Sequence, residues 1–258
     1  MNHAEAVSHL ESQIRRNQLV ADEINTATPA LRESLDHLQH WQRARLDATY
    51  DDLRNEPRHR AACEFFLDEL YGGRNVHERD RQLARVVPVM RRFLPTHLLH
   101  AVGDAIRLQA VSLEFDLDLA RILSERRPVQ QPDYAWAYRQ QDAWPQREEQ
   151  IELIRDLGEL LDETVSRPMV HRLIRMMHGP AVMAGFGALQ GFLRRGLDAF
   201  AEMGDATHFL DTIEGRERRA LEEMHSGSDW PFHEWIGRGP ESDEPRGSVQ
   251  SDSSTEKG

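Results

Sequence analysis

Apolar residues recur every three to four positions along most of this chain, and no stretch alternates with the two-residue period of a strand. A face that repeats at about 3.6 residues can be buried only if the backbone is helical. Prolines mark where the helices start. Pro29, Pro57, Pro95, Pro145 and Pro168 each head a periodic stretch, a position where the missing N–H is not needed. Helices are therefore expected over residues 4–25, from Pro29 to near Asn55, from Pro57 to Tyr71, over 79–93 with a break at Pro88, and over 95–125. A short aromatic helix follows with Tyr134, Trp136 and Tyr138. Then come 145–165, Pro168 to Gly179-Pro180, 181–203 and 207–225. The expectation is all-α: a single bundle-like domain of about nine or ten helices over residues 1–225, with the helical pair 4–55 at its N-terminus.

Residues 226–258 have a different composition, rich in Gly, Ser and Pro with seven acids and three bases. Such a segment buries too little apolar surface to offset its ordering entropy, so a disordered acidic tail is expected. Trp230, Phe232 and Trp235 interrupt it. That aromatic segment, 230–235, has two open readings: it folds back over the bundle, or it docks a partner.

Composition removes whole classes of chemistry. All but one of the 32 basic residues are arginine, the exception being Lys257 in the tail. A P-loop lysine, a Schiff-base lysine and a kinase ATP lysine are thereby excluded from the helical region. The single cysteine, Cys63, cannot make an intramolecular disulfide or a Cys-rich zinc or iron–sulfur site. There is no G-x-S-x-G elbow. No run of 18 apolar residues and no signal pattern are present, so a cytoplasmic protein without membrane contact is expected. A net charge of −12 argues against nucleic acid as a partner.

Helical wheels show which polar residues share the buried stripes. Glu69 lies between Phe65 and Ala62, Gln109 and Asp116 point with Leu98, Val102 and Leu113, and Arg147 and Gln150 extend the Ile151–Ile154–Leu161 face. Glu69, Gln109, Asp116, Arg147 and Gln150 thus form an expected buried polar cluster. The favoured reading is structural: an Arg147–carboxylate pair whose loss in Arg147→Ala would cost about 3–5 kcal/mol by stranding an acid. The other reading is a ligand pocket or acid–base site, which gains if Glu69, Asp116 and Arg147 meet at a solvent-reachable cavity of about 300 Å3 or more and fails if they are tightly packed and mutually satisfied.

Two further patterns invite chemistry. Ala184, Gly187, Ala188 and Gly191 form a small-residue helix face; no strand precedes it, so it reads as a helix-packing surface, within the chain or in a homo-oligomer, rather than a phosphate cradle. Thirteen histidines suggest metal. However, Glu56-x-x-His59, Glu222-x-x-His225, His37-x-x-His40, His97-x-x-His100 and the His171/His178 pair fall at helix ends or on polar faces, so neither metal nor cofactor is expected.

The stretch Phe65-Phe66-Leu67-Asp68-Glu69-Leu70-Tyr71 resembles the hallmark of the bacterial "FFLEELY motif" proteins, with Asp at the fourth place. The resemblance runs over about 63–217 and takes in Arg79-Asp80, Asp116, Arg147-x-x-Gln150-Ile151 and Gly179-Pro180-Ala181 through Phe192. It implies one helical domain and assigns no activity, cofactor or ligand. Taken together, the sequence points to a non-enzymatic binding or protein-interaction module. The alternative is a helical enzyme or small-ligand-binding protein built on the buried carboxylate and arginine.

Overall fold

The computed structural model describes residues 2–70, 87–88, 90–92, 94–126, 128–165 and 187–238. The side chains of residues 68–70, 187–190, 192 and 193 lie outside that description. The all-α expectation holds, and no strand occurs among the described residues.

Helix α1, His3–Thr26, opens with a reciprocal cap. The Asn2 side chain accepts from the Glu5 N–H at 2.9 Å, and the Glu5 carboxylate accepts from the Asn2 N–H at 2.8 Å. Helix α2, Pro29–Thr49, has Thr28 as its N-cap, whose hydroxyl accepts from the Leu31 N–H at 3.3 Å. The sequence carries this helix on to Asn55, but Tyr50 leaves helical geometry (φ −112°, ψ 22°) and a short α3, Asp51–Asn55, follows. After α4, Pro57–Leu70, and α5, Thr96–Ile122, come α6, Gln131–Gln141, and α7, Trp144–Val165. Helices α8, Gly187–Met203, α9, Thr207–His225, and a short α10, His233–Ile236, complete the described chain.

Helix α5 is the axis. It packs against α1, α2, α6 and α7, while α8 lies on α4 and α7, and α9 on α7 and α6. Three apolar clusters result. Leu35, Leu38, Leu117, Leu119, Tyr134 and Phe232 sit in one, Val7, Leu10, Leu99 and Ile106 in the second, and Leu53, Ala62, Phe200 and Phe209 in the third. Gly196 on α8 allows the α4 contact, since a Cβ there would fall 2.9 Å from Phe65 Cζ.

The packed chain runs past the expected start of the tail at residue 226. Residues 226–238 are described, and the aromatic segment folds back onto the bundle. Phe232 is 1% exposed, against Trp41 and Tyr134. Gln131 fixes the segment at both ends, accepting from the Phe232 N–H at 3.1 Å and donating to the Gly237 carbonyl at 2.6 Å. Burying one such phenylalanine contributes roughly 1.5–3 kcal/mol, which the composition of the segment as a whole conceals. Trp230 and Trp235 remain half-buried.

Candidate functional site

The buried stripe of α2 changes character along its length. Leu35 and Leu38 are apolar, but the same face continues through Gln42, Arg45 and Thr49, all buried. Gln42 and Arg45, with Asp116 and Ser112 of α5, Tyr134 and Tyr138 of α6, Arg147 and Gln150 of α7, and Glu217 of α9, line a cavity of about 150 Å3. Asp47, Arg54 and Leu67, all half-exposed, mark its outer rim. Phe232, Met224 and Ile151 close it elsewhere.

One wall pairs its buried cation with an acid of its own chain. Arg45, 6% exposed, donates to Glu217 Oε1 at 2.5 Å, and the Tyr50 hydroxyl donates to the same oxygen at 2.7 Å. Its guanidinium also lies 4.4 Å from the centre of the Phe232 ring. A buried cation is here matched by a carboxylate, as burial of charge requires. Burial, chiefly, and the neighbouring Glu217 hold the Tyr50 hydroxyl well above its ordinary range, so it stays a donor.

The opposite wall differs. Arg147 is 5% exposed and lies between two rings, 3.8 Å from the centre of Phe115 and 4.2 Å from that of Tyr138. It donates to two amide oxygens, Gln141 Oε1 at 2.8 Å and Gln150 Oε1 at 3.2 Å. Gln150 in turn donates to the Ser112 hydroxyl at 2.8 Å. Among the described residues no carboxylate forms an ion pair with Arg147, and its Nε has no hydrogen-bond partner. The expected Arg147–carboxylate pair is therefore not formed with Asp116, while the Glu69 side chain lies outside the described residues.

Asp116 explains why. Gln42 donates to its Oδ1 at 2.9 Å and Gln39 to its Oδ2 at 3.1 Å, so the carboxylate is held by amides from α2. Burial raises its pKa, opposed by those two hydrogen bonds and by the field of Arg147. Gln42 also keeps Oε1 without a partner. Tyr134 donates to the Tyr138 hydroxyl at 3.0 Å. Burial pushes the Cys63 thiol up to about 11, so the thiol lining the cavity is protonated at neutral pH and is not a nucleophile.

Of the five residues expected to cluster, Asp116, Arg147 and Gln150 line this cavity. Gln109 is half-buried on α5 but does not line it, and the Glu69 side chain lies outside the described residues. The volume is about half of that at which the pocket reading would gain. Gln42, Arg45, Tyr134, Tyr138 and Glu217 were missed by the sequence reading. A signal for two of them existed, because Gln42 and Arg45 continue the Leu35–Leu38 spacing. Of the small-residue face, Ala184 lies outside the description, Gly187 and Ala188 belong to α8 with side chains outside it, and Gly191 is half-exposed. Only Arg195 Nη1 among the described atoms approaches a Cβ built at Gly191.

A family model described as a domain of unknown function, DUF8198, matches residues 22–231. The chain belongs to that family. The match runs from the end of α1 to the first two residues of the aromatic segment, so the whole lining of the cavity except Phe232 falls inside DUF8198. No curated protein and no solved structure matches the chain. No helix among the described residues is long and apolar enough to cross a membrane.

Proposed function

We propose that this DUF8198 protein binds a small organic acid in the cavity between α2, α5, α6, α7 and α9. The observation that carries this reading is Arg147: a buried guanidinium, held rigid between two rings, with no carboxylate partner among the described residues. An isolated buried charge is costly to maintain, and a carboxylate ligand would supply the missing counter-charge in the planar geometry guanidinium favours. Gln42 Oε1, a further lining atom with no hydrogen-bond partner, calls for a hydroxyl or amine donor on the same ligand. A volume of about 150 Å3 suits a molecule no larger than a single ring, as an engineered cavity of about that size admits benzene.

Binding is better supported than turnover. Both Asp116 oxygens are occupied by amides, and the Cys63 thiol is protonated. Phe66 and Leu67 of the FFLEELY-like stretch also line the cavity, which ties that hallmark to the same site. The single cysteine and that likeness support a bacterial, cytoplasmic setting.

The test is a thermal-shift and calorimetric panel on the whole chain with acetate, benzoate, 4-hydroxybenzoate and phenol. The expected affinity order is 4-hydroxybenzoate, then benzoate, with phenol weakest, and Arg147→Met abolishes the advantage of the acids. If phenol binds as well as the acids, or no carboxylate shifts the melting temperature, the proposal fails.

A further inference from the structure

A second gathering of chemical groups lies at the seam of α1 and α5, about 12 Å along α5 from the Ser112 edge of the cavity, at about 1.5 Å per residue between Asp104 and Ser112. His100 and Asp104 stand four residues apart and so share one face of α5. His9 reaches them from α1. One potential ligand atom from each of the three lies within 4.8 Å of the other two. His9 Nε2 is 2.8 Å from Asp104 Oδ1, and His100 Nδ1 is 2.7 Å from Asp104 Oδ2. The two imidazoles are stacked, with centroids 4.7 Å apart and planes 17° from parallel. Side-chain exposures of 22% for His9, 37% for His100 and 18% for Asp104 leave the group partly shielded but reachable.

The backbone makes room for this arrangement. A Cβ at Gly103 would fall 2.5 Å from His9 Cδ2 and 3.0 Å from His9 Nε2. Only glycine lets the His9 ring lie against α5 and bring its nitrogen to Asp104. The sequence reading placed His100 with an outward-facing pair because nothing local connects it to a residue 91 positions earlier.

We propose that His9, His100 and Asp104 form a site for a divalent transition metal of the zinc class, with the remaining coordination position open to water or a ligand. Two imidazoles and one carboxylate suit zinc, cobalt, nickel or copper and disfavour magnesium and calcium, which take all-oxygen shells. Zinc bonds of about 2.0–2.2 Å in a tetrahedron place donor atoms about 3.3 Å apart. The two observed separations are shorter because a proton fills each gap, and an ion would spread them by about half an ångström. Each imidazole would turn a nitrogen lone pair to the ion in place of the contact it now makes with Asp104. The ion would then clamp α1 to α5. His9 precedes the stretch matched by the DUF8198 model while His100 and Asp104 fall within it, and none of the three lines the cavity.

The experiment titrates the whole chain, freed of metal by chelation, with cobalt(II), reads the visible d–d bands, and then displaces the cobalt with zinc. The wild-type protein is expected to saturate at one ion per chain with a spectrum displaced by zinc. Asp104→Asn and His100→Gln should weaken binding by about 100-fold or more, since even outer partners of a metal change affinity 10–100-fold. His40→Gln, an exposed control, should bind as wild type. X-ray absorption on the wild-type zinc complex needs no variant and should show two imidazoles in the coordination shell. Absence of a saturable cobalt spectrum, binding unchanged in both folded variants, or a shell with fewer than two imidazoles would each overturn the proposal.

Discussion

The two walls of the cavity each bury an arginine at almost the same depth, 6% exposed for Arg45 and 5% for Arg147, yet they solve the burden of that charge differently. Arg45 faces a carboxylate of its own chain, Glu217. Arg147 faces aromatic rings and amide oxygens, while Asp116, which feels its field, is occupied by Gln39 and Gln42. Folding alone accounts for the first wall. The second holds a charge with no ion pair among the described residues, which the proposed ligand would supply. Depth of burial therefore says little about the role of a buried arginine. The partner decides.

The largest effect is expected where the aromatic segment seals the Arg45 wall. Phe232→Ala should lower the unfolding free energy by about 3–5 kcal/mol, as large-to-small changes at fully buried aromatics do; chemical denaturation of the full chain measures it. A loss under 1 kcal/mol would mean that residues 226–238 do not belong to the packed domain. Next, Arg45→Met should cost about 3 kcal/mol, at the low end for breaking a buried pair because Glu217 keeps 21% of its side chain exposed. A neutral result would erase the difference between the walls.

Asp116→Asn sharpens the comparison through pH. The folded-state pKa of Asp116 is raised, so between the unfolded value and the folded one the native state holds a proton that the unfolded state has lost. Wild-type stability carried by this group is fully present below the unfolded pKa, near 3.9, and declines as pH rises through the folded pKa. Asparagine does not titrate, so stability of Asp116→Asn relative to wild type should increase from pH 4 to pH 7. A difference that is flat or runs the other way would show that Gln39, Gln42 and Arg147 outweigh burial at Asp116.

Helix register was legible in the sequence because burial follows the 3.6-residue period and prolines mark the starts. Asp116, Arg147 and Gln150 were legible for the same reason, as polar residues on apolar stripes. The break at Tyr50 was not, since the tyrosine leaves helical geometry where its hydroxyl meets Glu217, 167 positions away. A wheel shows which residues point inward but not that the Asp116 carboxylate is already held by Gln39 and Gln42. Phe232 sits in a segment whose average composition is that of a tail, and the partners that hold it down, Gln131, Trp41, Tyr134 and Arg45, lie about a hundred positions or more earlier. The His9–His100–Asp104 group likewise depends on two helices meeting.

The central claim is that the Arg147 charge serves a ligand and not the fold. Urea unfolding of Arg147→Met without ligand tests it most directly. Stability is expected between unchanged and about 2 kcal/mol above wild type, because a hydrophobic side chain of similar length replaces a buried charge with no ion pair among the described residues. A loss of about 3–5 kcal/mol, the cost of breaking a buried ion pair, would contradict it and return Arg147 to the same structural role as Arg45.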